Sequence, residues 1–193
     1  NEEKYKGFGV SACATCDGFF YKDKIVAVIG GGNMAVEEAI FLTKFASKVY
    51  LIHRRDELRA EKILQKRLFE NSKIEIIWNK QVTDVLGEDN PLGVTGIQIK
   101  DTLSKELSEV SCSGVFVAIG HSPASDLIKD QLDLFDGGYV NTISGTTKTS
   151  IPGVFAAGDL VDNVYRQAVT SAAMGCMAAL DAEKYLSDID DGT

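Results

Sequence analysis

Short apolar runs alternate with helix-periodic segments in the first part of the chain. Residues 25–29 (IVAVI) form a largely β-branched apolar run followed at once by glycines, which is typical of a buried parallel strand ending in a tight turn. Apolar residues then recur on one helical face, which predicts a helix over residues 34–46 with Asn33 as its cap. Residues 48–52 (KVYLI) predict a second strand. Strand, helix and strand within about 30 residues predict a right-handed βαβ unit.

The alternation continues through the next part of the chain. A second helix is predicted over about residues 58–70 and a third strand over residues 74–78. Residues 81–111 contain short alternating segments separated by turn residues, which predict an antiparallel meander. Residues 115–119 predict another buried strand, closing on Gly120.

The pattern changes after residue 121. A polar, turn-rich stretch leads to a small-residue strand predicted at residues 154–157 and a long helix predicted over residues 165–186. One strand and one helix cannot close a hydrophobic core alone. The sequence therefore predicts an α/β protein, with a Rossmann-like three-layer domain at residues 1–121 and an incomplete second domain at residues 122–193.

Charge and hydropathy argue against two classes of partner. The chain carries 20 basic and 28 acidic residues, for a net charge of −8, without a long basic tract. Such a chain is a poor candidate for binding nucleic acid. No apolar run approaches the ~18–20 residues that span a bilayer, and the charged start NEEKYK is unlike a secretory signal peptide. We therefore expect no nucleic-acid or membrane partner and a cytoplasmic location.

A glycine motif, Gly30-x-Gly32-x-x-Ala35, lies between the first predicted strand and its helix. In dinucleotide-binding proteins the first glycine permits the turn, the second lets the backbone approach a pyrophosphate, and the small third residue lets the helix pack on the strand. Free N–H groups at the helix start then face the phosphates. A glycine turn without a ligand is the alternative, and the strand–helix context favours the dinucleotide site.

Basic residues follow the second predicted strand. An NAD site places a carboxylate there to bind the ribose 2′-hydroxyl, whereas this chain has His53, Arg54 and Arg55, with Arg59 one turn further. Guanidinium groups bind a 2′-phosphate bidentately, and a carboxylate would repel it. A solvated basic surface is the alternative interpretation. The cluster predicts NADPH rather than NADH.

Two of the four cysteines, Cys13 and Cys16, are close in sequence. A zinc site usually needs a second such pair, and neither Cys112 nor Cys176 has a neighbouring cysteine, so no metal site is predicted. The C-x-x-C spacing allows a reducible disulfide. Asp17, directly after the second cysteine, is placed to exchange protons with the thiols that form on reduction. Beside a nicotinamide-nucleotide site, redox chemistry is favoured over a metal half-site. Cys112 and Cys176 are expected to be buried and inert.

Five segments together carry a resemblance to a known family. They are residues 11–20 (SACATCDGFF), 30–39 (GGGNMAVEEA), 53–56 (HRRD), 151–159 (IPGVFAAGD) and 165–168 (YRQA). In this order they resemble the bacterial-type, low-molecular-weight thioredoxin reductases, and the resemblance covers essentially the whole chain. It implies a flavoprotein disulfide reductase fold, with the NADPH domain and the carboxyl-terminal part of the FAD domain present here.

The resemblance also implies a mechanism and its residues. Electrons would pass from NADPH through FAD to the disulfide and on to thioredoxin, with Cys16 facing the flavin, Cys13 exchanging with thioredoxin and Asp17 shuttling the proton. Asp159 would bind the ribityl chain of the flavin. The complete set of implied cofactor-binding residues is Gly30, Gly31, Gly32, Asn33, Met34, Ala35, Glu37, His53, Arg54, Arg55, Arg59, Ile119, Gly120, Gly158, Asp159, Arg166, Gln167 and Ala168.

Two departures from the family pattern qualify this expectation. Met34 stands where the family often has a small polar residue, although its backbone serves equally. The amino-terminal half of the FAD domain, with its own glycine fingerprint, is expected to be absent, so this chain alone is not expected to retain FAD or to turn over. The complete enzyme is expected to be a homodimer. Two alternatives stay open: an NADPH- or NADH-dependent flavoprotein reductase of a peroxiredoxin, and a non-catalytic nucleotide-binding module.

Overall fold

The β-branched apolar runs of residues 1–120 form a parallel sheet. The computed structural model describes residues 1–135 and 137–190, and the chain divides into two units, Asn1–Gly120 and His121–Thr193. The first unit begins with a 3-10 helix at Glu3–Tyr5 and has another at Gly18–Tyr21. Its strands and α-helices are β1 (Val10–Ser11), α1 (Ala14–Asp17), β2 (Ile25–Gly30), α2 (Asn33–Leu42), β3 (Lys48–Ile52), α3 (Lys62–Phe69), β4 (Ile74–Ile77), β5 (Lys80–Asp89), β6 (Leu92–Asp101), β7 (Leu107–Ser111) and β8 (Gly114–Ala118).

The main sheet has the strand order β1-β8-β2-β3-β4, and all of its pairs are parallel. At its centre Val28 of β2 pairs with Leu51 of β3 on one side and with Phe116 of β8 on the other. The chain thus first adds β3 and β4 on one side of β2, and returns later to add β8 on the other side. In open parallel sheets this reversal creates a crevice outside the carboxyl ends of the strands, where ligands bind.

Three layers form the first unit, as the sequence predicted. The alternation along β2 places Val26 and Val28 in the core shared with α2, whereas Ala27 faces a second core. That second core is completed by Val85, Ile97 and other residues of the antiparallel sheet β5-β6-β7. The predicted α/β, Rossmann-like fold with its inserted meander is therefore confirmed.

The two helices predicted in this unit, α2 and α3, are both shorter than expected. α2 ends at Leu42 because the hydroxyl and the backbone N–H of Thr43 both donate to the Ile40 carbonyl, which tightens the last turn. α3 starts at Lys62, because Leu58 and Ala60 are buried from an irregular segment before the helix. The predicted cap is also wrong: Gly32 is the N-cap of α2, and Asn33 is its first helical residue.

The second unit has little regular structure before its long helix. It contains a hairpin of β9 (Leu134–Phe135) and β10 (Tyr139–Val140), a 3-10 helix at Gly158–Leu160, and α4 (Ala168–Asp190). The buried residues of its small core are Leu132, Val140 and Ala156.

Three sequence predictions about this unit are wrong. Residues 154–157 are not a strand: they contribute only an isolated bridge between Phe155 and Lys148. α4 begins three residues later than predicted because the Asp162 carboxylate binds the N–H groups before it and Arg166 has a φ of 51°. Cys176 is exposed rather than buried, on a helix that has no buried residue among those described.

None of the helices in the described part of the chain is long and apolar enough to cross a membrane.

Candidate functional site

A cleft of about 790 Å³ opens in the first unit where β2 and β8 end. We call it the switch-point cleft. The predicted site residues that line it are Gly30, Gly31, Gly32, Asn33, Met34, His53, Arg54, Arg59, Ile119 and Gly120. Of the other predicted residues in this unit, Ala35 is buried and Glu37 and Arg55 are exposed outside the lining. The fold thus brings together most of the residues predicted to bind a dinucleotide.

The glycine loop has the packing that a dinucleotide fingerprint requires. Gly30 has a φ of 155°, and a Cβ there would lie 2.3 Å from the Ala118 carbonyl oxygen and 2.6 Å from the Ala35 Cβ. Gly30 therefore permits both the turn and the close packing of α2 on the sheet. A Cβ on Gly32 would meet nothing within 4 Å. The open space at the N-cap of α2 is suited to a pyrophosphate held by the free N–H groups there.

His53 has a different environment from the exposed arginines near it. The residue is 5% exposed, and its ring lies against Gly31, where a Cβ would come within 2.2 Å of the ring. Its Nε2 is 2.9 Å from the Glu57 carbonyl oxygen. Burial lowers the pKa of His53, and its backbone hydrogen bonds offset this only in part. A neutral, packed ring supports the loop, and the predicted 2′-phosphate contact of His53 stays a prediction.

Arg54 and Arg59 are the two arginines that line the switch-point cleft. Both are exposed, and the backbone N–H of Arg59 donates to the Gly31 carbonyl at 2.8 Å. This places the arginine segment beside the glycine loop. Arg55 does not line the cleft, so the three predicted arginines are not equivalent.

Lys80 also lines the switch-point cleft, and the sequence analysis missed it. Its Nζ lies 2.7 Å from the Asp101 carboxylate, and both side chains are half-buried. The hydrogen bond from Lys80, helped by the N–H groups of Ser104 and Leu103, lowers the pKa of Asp101 to about 2. The available signal was position: Lys80 closely follows the third predicted strand, whose carboxyl end is at the same edge of the sheet as the glycine loop.

Cys13 and Cys16 form a disulfide around the start of α1, with their Cα atoms 5.3 Å apart, as predicted. Cys13 caps this short helix, and the Cys16 N–H donates to its sulfur at 3.2 Å. Cys13 is half-buried and Cys16 exposed, and neither lines the switch-point cleft. Asp17 is the last residue of α1 and is half-buried.

An exposed aromatic pair follows the disulfide. Phe19 is 67% and Phe20 70% exposed, and their rings meet edge to face. Large apolar side chains exposed together are typical of a surface that another protein covers. The sequence analysis quoted these residues only as part of the family motif. Their signal was two aromatic residues in succession outside any helical or strand periodicity.

The predicted flavin-side residues all lie in the second unit. Ser171 donates to the Asp159 carboxylate at 2.9 Å, and Gly158 has a φ of 74°. Arg166 and Gln167 precede α4, which Ala168 begins.

Asp162, which the sequence analysis missed, organises the turn before α4. Its buried carboxylate accepts hydrogen bonds from the N–H groups of Val164, Tyr165 and Arg166 and from the Thr170 hydroxyl. Burial raises the pKa of Asp162, but these hydrogen bonds outweigh burial and hold it below its ordinary value. An ionised Asp162 therefore fixes the backbone that leads to Arg166.

The other two cysteines differ from each other. Burial raises the pKa of Cys112 to about 12, whereas Cys176 is an exposed free thiol. Within residues 1–135 and 137–190, no group of three or more His, Cys, Asp or Glu side chains is arranged to hold a metal ion.

Comparisons with known proteins agree with this arrangement. A family model described as pyridine nucleotide-disulphide oxidoreductase matches residues 1–175. The thioredoxin reductase of Rickettsia conorii (strain ATCC VR-613 / Malish 7) is 58% identical over 187 residues, which are 97% of this chain and 60% of that protein. That of Escherichia coli O157:H7 is 55% identical over 199 residues, covering 99% and 61%. A crystal structure of thioredoxin reductase from Streptococcus pyogenes MGAS5005 matches with a TM-score of 0.90 at 40% identity, over 97% of this chain and 60% of that one. The chain thus spans about 60% of the length of these relatives.

Proposed function

The chain belongs to the pyridine nucleotide-disulphide oxidoreductase family, and we propose that it carries the NADPH site and the redox disulfide of a thioredoxin reductase. The observation that carries this proposal is the presence, in one folded unit, of a Cys13–Cys16 disulfide and an arginine-bearing dinucleotide cleft. The relatives named above are thioredoxin reductases, which supports thioredoxin as the substrate.

The switch-point cleft would hold NADPH. Its pyrophosphate would lie over Gly32 at the start of α2, and its 2′-phosphate between the guanidinium groups of Arg54 and Arg59. Ile119 and Gly120 would line the far side of the nucleotide. FAD would be the second cofactor of the complete protein, contacted by Gly158, Asp159, Arg166, Gln167 and Ala168.

Bound FAD would supply the route by which the two electrons of NADPH reach the disulfide. The Cys13–Cys16 bond takes up these electrons and two protons and becomes two thiols, with Asp17 close by to move a proton. The Cys13 thiolate attacks the disulfide of thioredoxin and forms a mixed disulfide, and Cys16 then attacks Cys13. Thioredoxin leaves as a dithiol, and the Cys13–Cys16 bond forms again. The exposed Phe19 and Phe20 would contact the protein substrate.

Nucleotide choice tests the first half of the proposal. Titration of the 193-residue chain should give a lower Kd for NADPH than for NADH, and Arg54→Ala with Arg59→Ala should remove the difference. A charge-assisted hydrogen bond contributes about 1.5–3 kcal/mol, so the loss should be roughly tenfold or more. Arg55→Ala is the matched control, since Arg55 does not line the cleft. Equal affinities for the two nucleotides in the unmutated chain would contradict the assignment.

Trapping tests the second half. In a Cys176→Ser background, the reduced Cys16→Ser chain should form a lasting mixed disulfide through Cys13 with a thioredoxin variant that keeps one active-site cysteine, activated beforehand as a mixed disulfide with a small thiol. The small thiol leaves, and no second thioredoxin thiol can reverse the exchange. The Cys13→Ser chain should not form this complex, because Cys13 is the exchanging thiol in this assignment. Absence of a trapped complex from both variants would refute thioredoxin as the substrate.

Three further properties of the complete protein belong to the same proposal. A dithiol maintained by NADPH suits the reducing conditions of the cytoplasm, and the complete protein would be a homodimer. We expect the 193-residue chain alone to bind FAD weakly, since the second unit has only a small core. A colourless preparation would agree with this, whereas stoichiometric yellow flavin would contradict it.

A further inference from the structure

Two hydrogen bonds between Asn33 and Glu61 join the arginine segment to the glycine loop. Residues 53–61 have no helix or strand between β3 and α3, yet they carry the charges of the switch-point cleft. The Glu61 N–H donates to the Asn33 Oδ1 at 2.8 Å, and the Asn33 Nδ2 donates to the Glu61 Oε1 at 3.2 Å. We call this pair of hydrogen bonds the Asn33–Glu61 clamp. The orientation of the amide follows from the first bond, because a backbone N–H can only donate.

Next to the clamp is a third hydrogen bond, between two backbone groups. The Arg59 N–H donates to the Gly31 carbonyl at 2.8 Å, so residues 59–61 run beside residues 31–33 and bond to them at both ends. The segment that carries Arg59 is thereby held at one distance from the loop over which a pyrophosphate would lie.

We propose that Asn33 and Glu61 are positioning residues that set the preference of this site for NADPH over NADH. The inference rests on the proposed NADPH site. Pyrophosphate and 2′-phosphate belong to one rigidly linked nucleotide, so both are bound well only when the glycine loop and the arginines keep a matching separation. NADH lacks the 2′-phosphate, so its affinity does not depend on that separation. Loss of the clamp therefore weakens NADPH binding more than NADH binding.

The negative charge of Glu61 and its hydrogen bond should affect NADPH affinity in opposite directions. Electrostatics alone makes a carboxylate near a phosphate unfavourable, so removing the charge should strengthen NADPH binding. Glu61→Ala and Glu61→Gln both remove the charge, but only glutamine keeps an oxygen that accepts from the Asn33 Nδ2. The difference between these two variants isolates the hydrogen bond from the charge.

The experiment measures the ratio of the Kd for NADH to the Kd for NADPH in the 193-residue chain and in four variants. Asn33→Ala, which loses both bonds, should lower the ratio roughly threefold to tenfold, as expected for one or two net hydrogen bonds. Glu61→Ala should lower it by a smaller factor, and Glu61→Gln should keep or raise it. Asn71→Ala is the matched control and should not change the ratio: Asn71 also donates through Nδ2, to Thr43, and accepts a backbone N–H, from Lys73, and it does not line the cleft.

The outcomes separate this inference from the proposed function. If the unmutated chain prefers NADPH and Asn33→Ala keeps that preference unchanged, the positioning role is refuted while the nucleotide assignment stands. A rise in the ratio for Glu61→Ala equal to that for Glu61→Gln would refute it too, because charge alone would then explain both. Equal affinities in the unmutated chain would overturn the nucleotide assignment and the positioning role together. Thermal unfolding of each variant excludes loss of fold as the cause of a lowered ratio.

Discussion

Two adjacent glycines in the loop of residues 30–32 should differ in how much their substitution by alanine lowers stability. Gly31 is buried, and a Cβ there would lie 2.2, 2.3 and 2.7 Å from three atoms of the His53 ring, closer than real Cβ atoms approach. Gly32 has extended backbone, with a φ of −92°, and a Cβ there would meet nothing within 4 Å. We expect Gly31→Ala to destabilise the first unit and Gly32→Ala to leave its stability nearly unchanged.

The magnitude follows from how firmly His53 is held. The residue is 5% exposed, its Nε2 is 2.9 Å from the Glu57 carbonyl oxygen, and its ring packs edge-on against Trp78. Its own N–H donates to the Ile77 carbonyl at 3.0 Å. The ring has little room to retreat, so the overpacking should cost about 1–3 kcal/mol in the free energy of unfolding. For a unit of this size that lowers Tm by roughly 4–12 °C.

A double-mutant cycle tests the assigned cause. His53→Ala removes the ring that the new methyl group strikes, so Gly31→Ala should cost clearly less in the His53→Ala background than in the unmutated chain. NADPH titration adds the second readout: Gly32→Ala should weaken NADPH binding at unchanged Tm, because its methyl group occupies the space proposed for the pyrophosphate. Additive effects of Gly31→Ala and His53→Ala would refute the assigned contact, and so would an unchanged Tm for Gly31→Ala.

Two further predictions concern thiols and pH. In the oxidised chain an alkylating reagent at neutral pH should label Cys176 alone; reduction should add Cys13 and Cys16, while Cys112 stays unlabelled because burial raises its pKa to about 12. Rapid labelling of Cys112 in the folded chain, read by mass spectrometry, would contradict its burial. For His53, a lowered pKa in the folded state means that the unfolded chain binds the proton first as pH falls, so stability should decrease below about pH 6.5. His53→Gln should flatten this part of the denaturation profile; identical slopes for the unmutated and His53→Gln chains would exclude the linkage.

The parallel sheet was predictable because its strands obey a local rule. Residues buried on both faces must be apolar throughout, and the short β-branched run at β2 has few other stable environments in a protein of this charge. The same rule failed at residues 154–157, where small apolar residues lie beside a turn and pair with little more than residues 147–149. A strand needs a partner along its length, and a run of four residues does not say whether it has one.

Helix boundaries depend on contacts that periodicity does not contain. Ala60 has the helical spacing of Leu64 and Leu68, yet Ala60, like Leu58, is buried from the irregular segment that bears Arg59. At α4 the boundary depends on Asp162, whose carboxylate takes up three backbone N–H groups and keeps the preceding turn out of the helix. In both places a tertiary contact outweighs the local preference of the chain.

In the candidate site, sequence predicted the types of residue present better than the role of each one. Arginines after the second strand predicted positive charge in the cleft, and Arg54 and Arg59 supply it. Sequence did not distinguish Arg55, which lies outside the lining, because side-chain direction in an irregular segment has no fixed period. Asn33 was predicted as a cap, which is wrong, and as a cofactor ligand, which stays a prediction; its side chain forms two hydrogen bonds with Glu61. A polar residue at a fingerprint position can thus act on the ligand through the segment it holds, and that role becomes visible only when its partner, 28 residues away along the chain, is known.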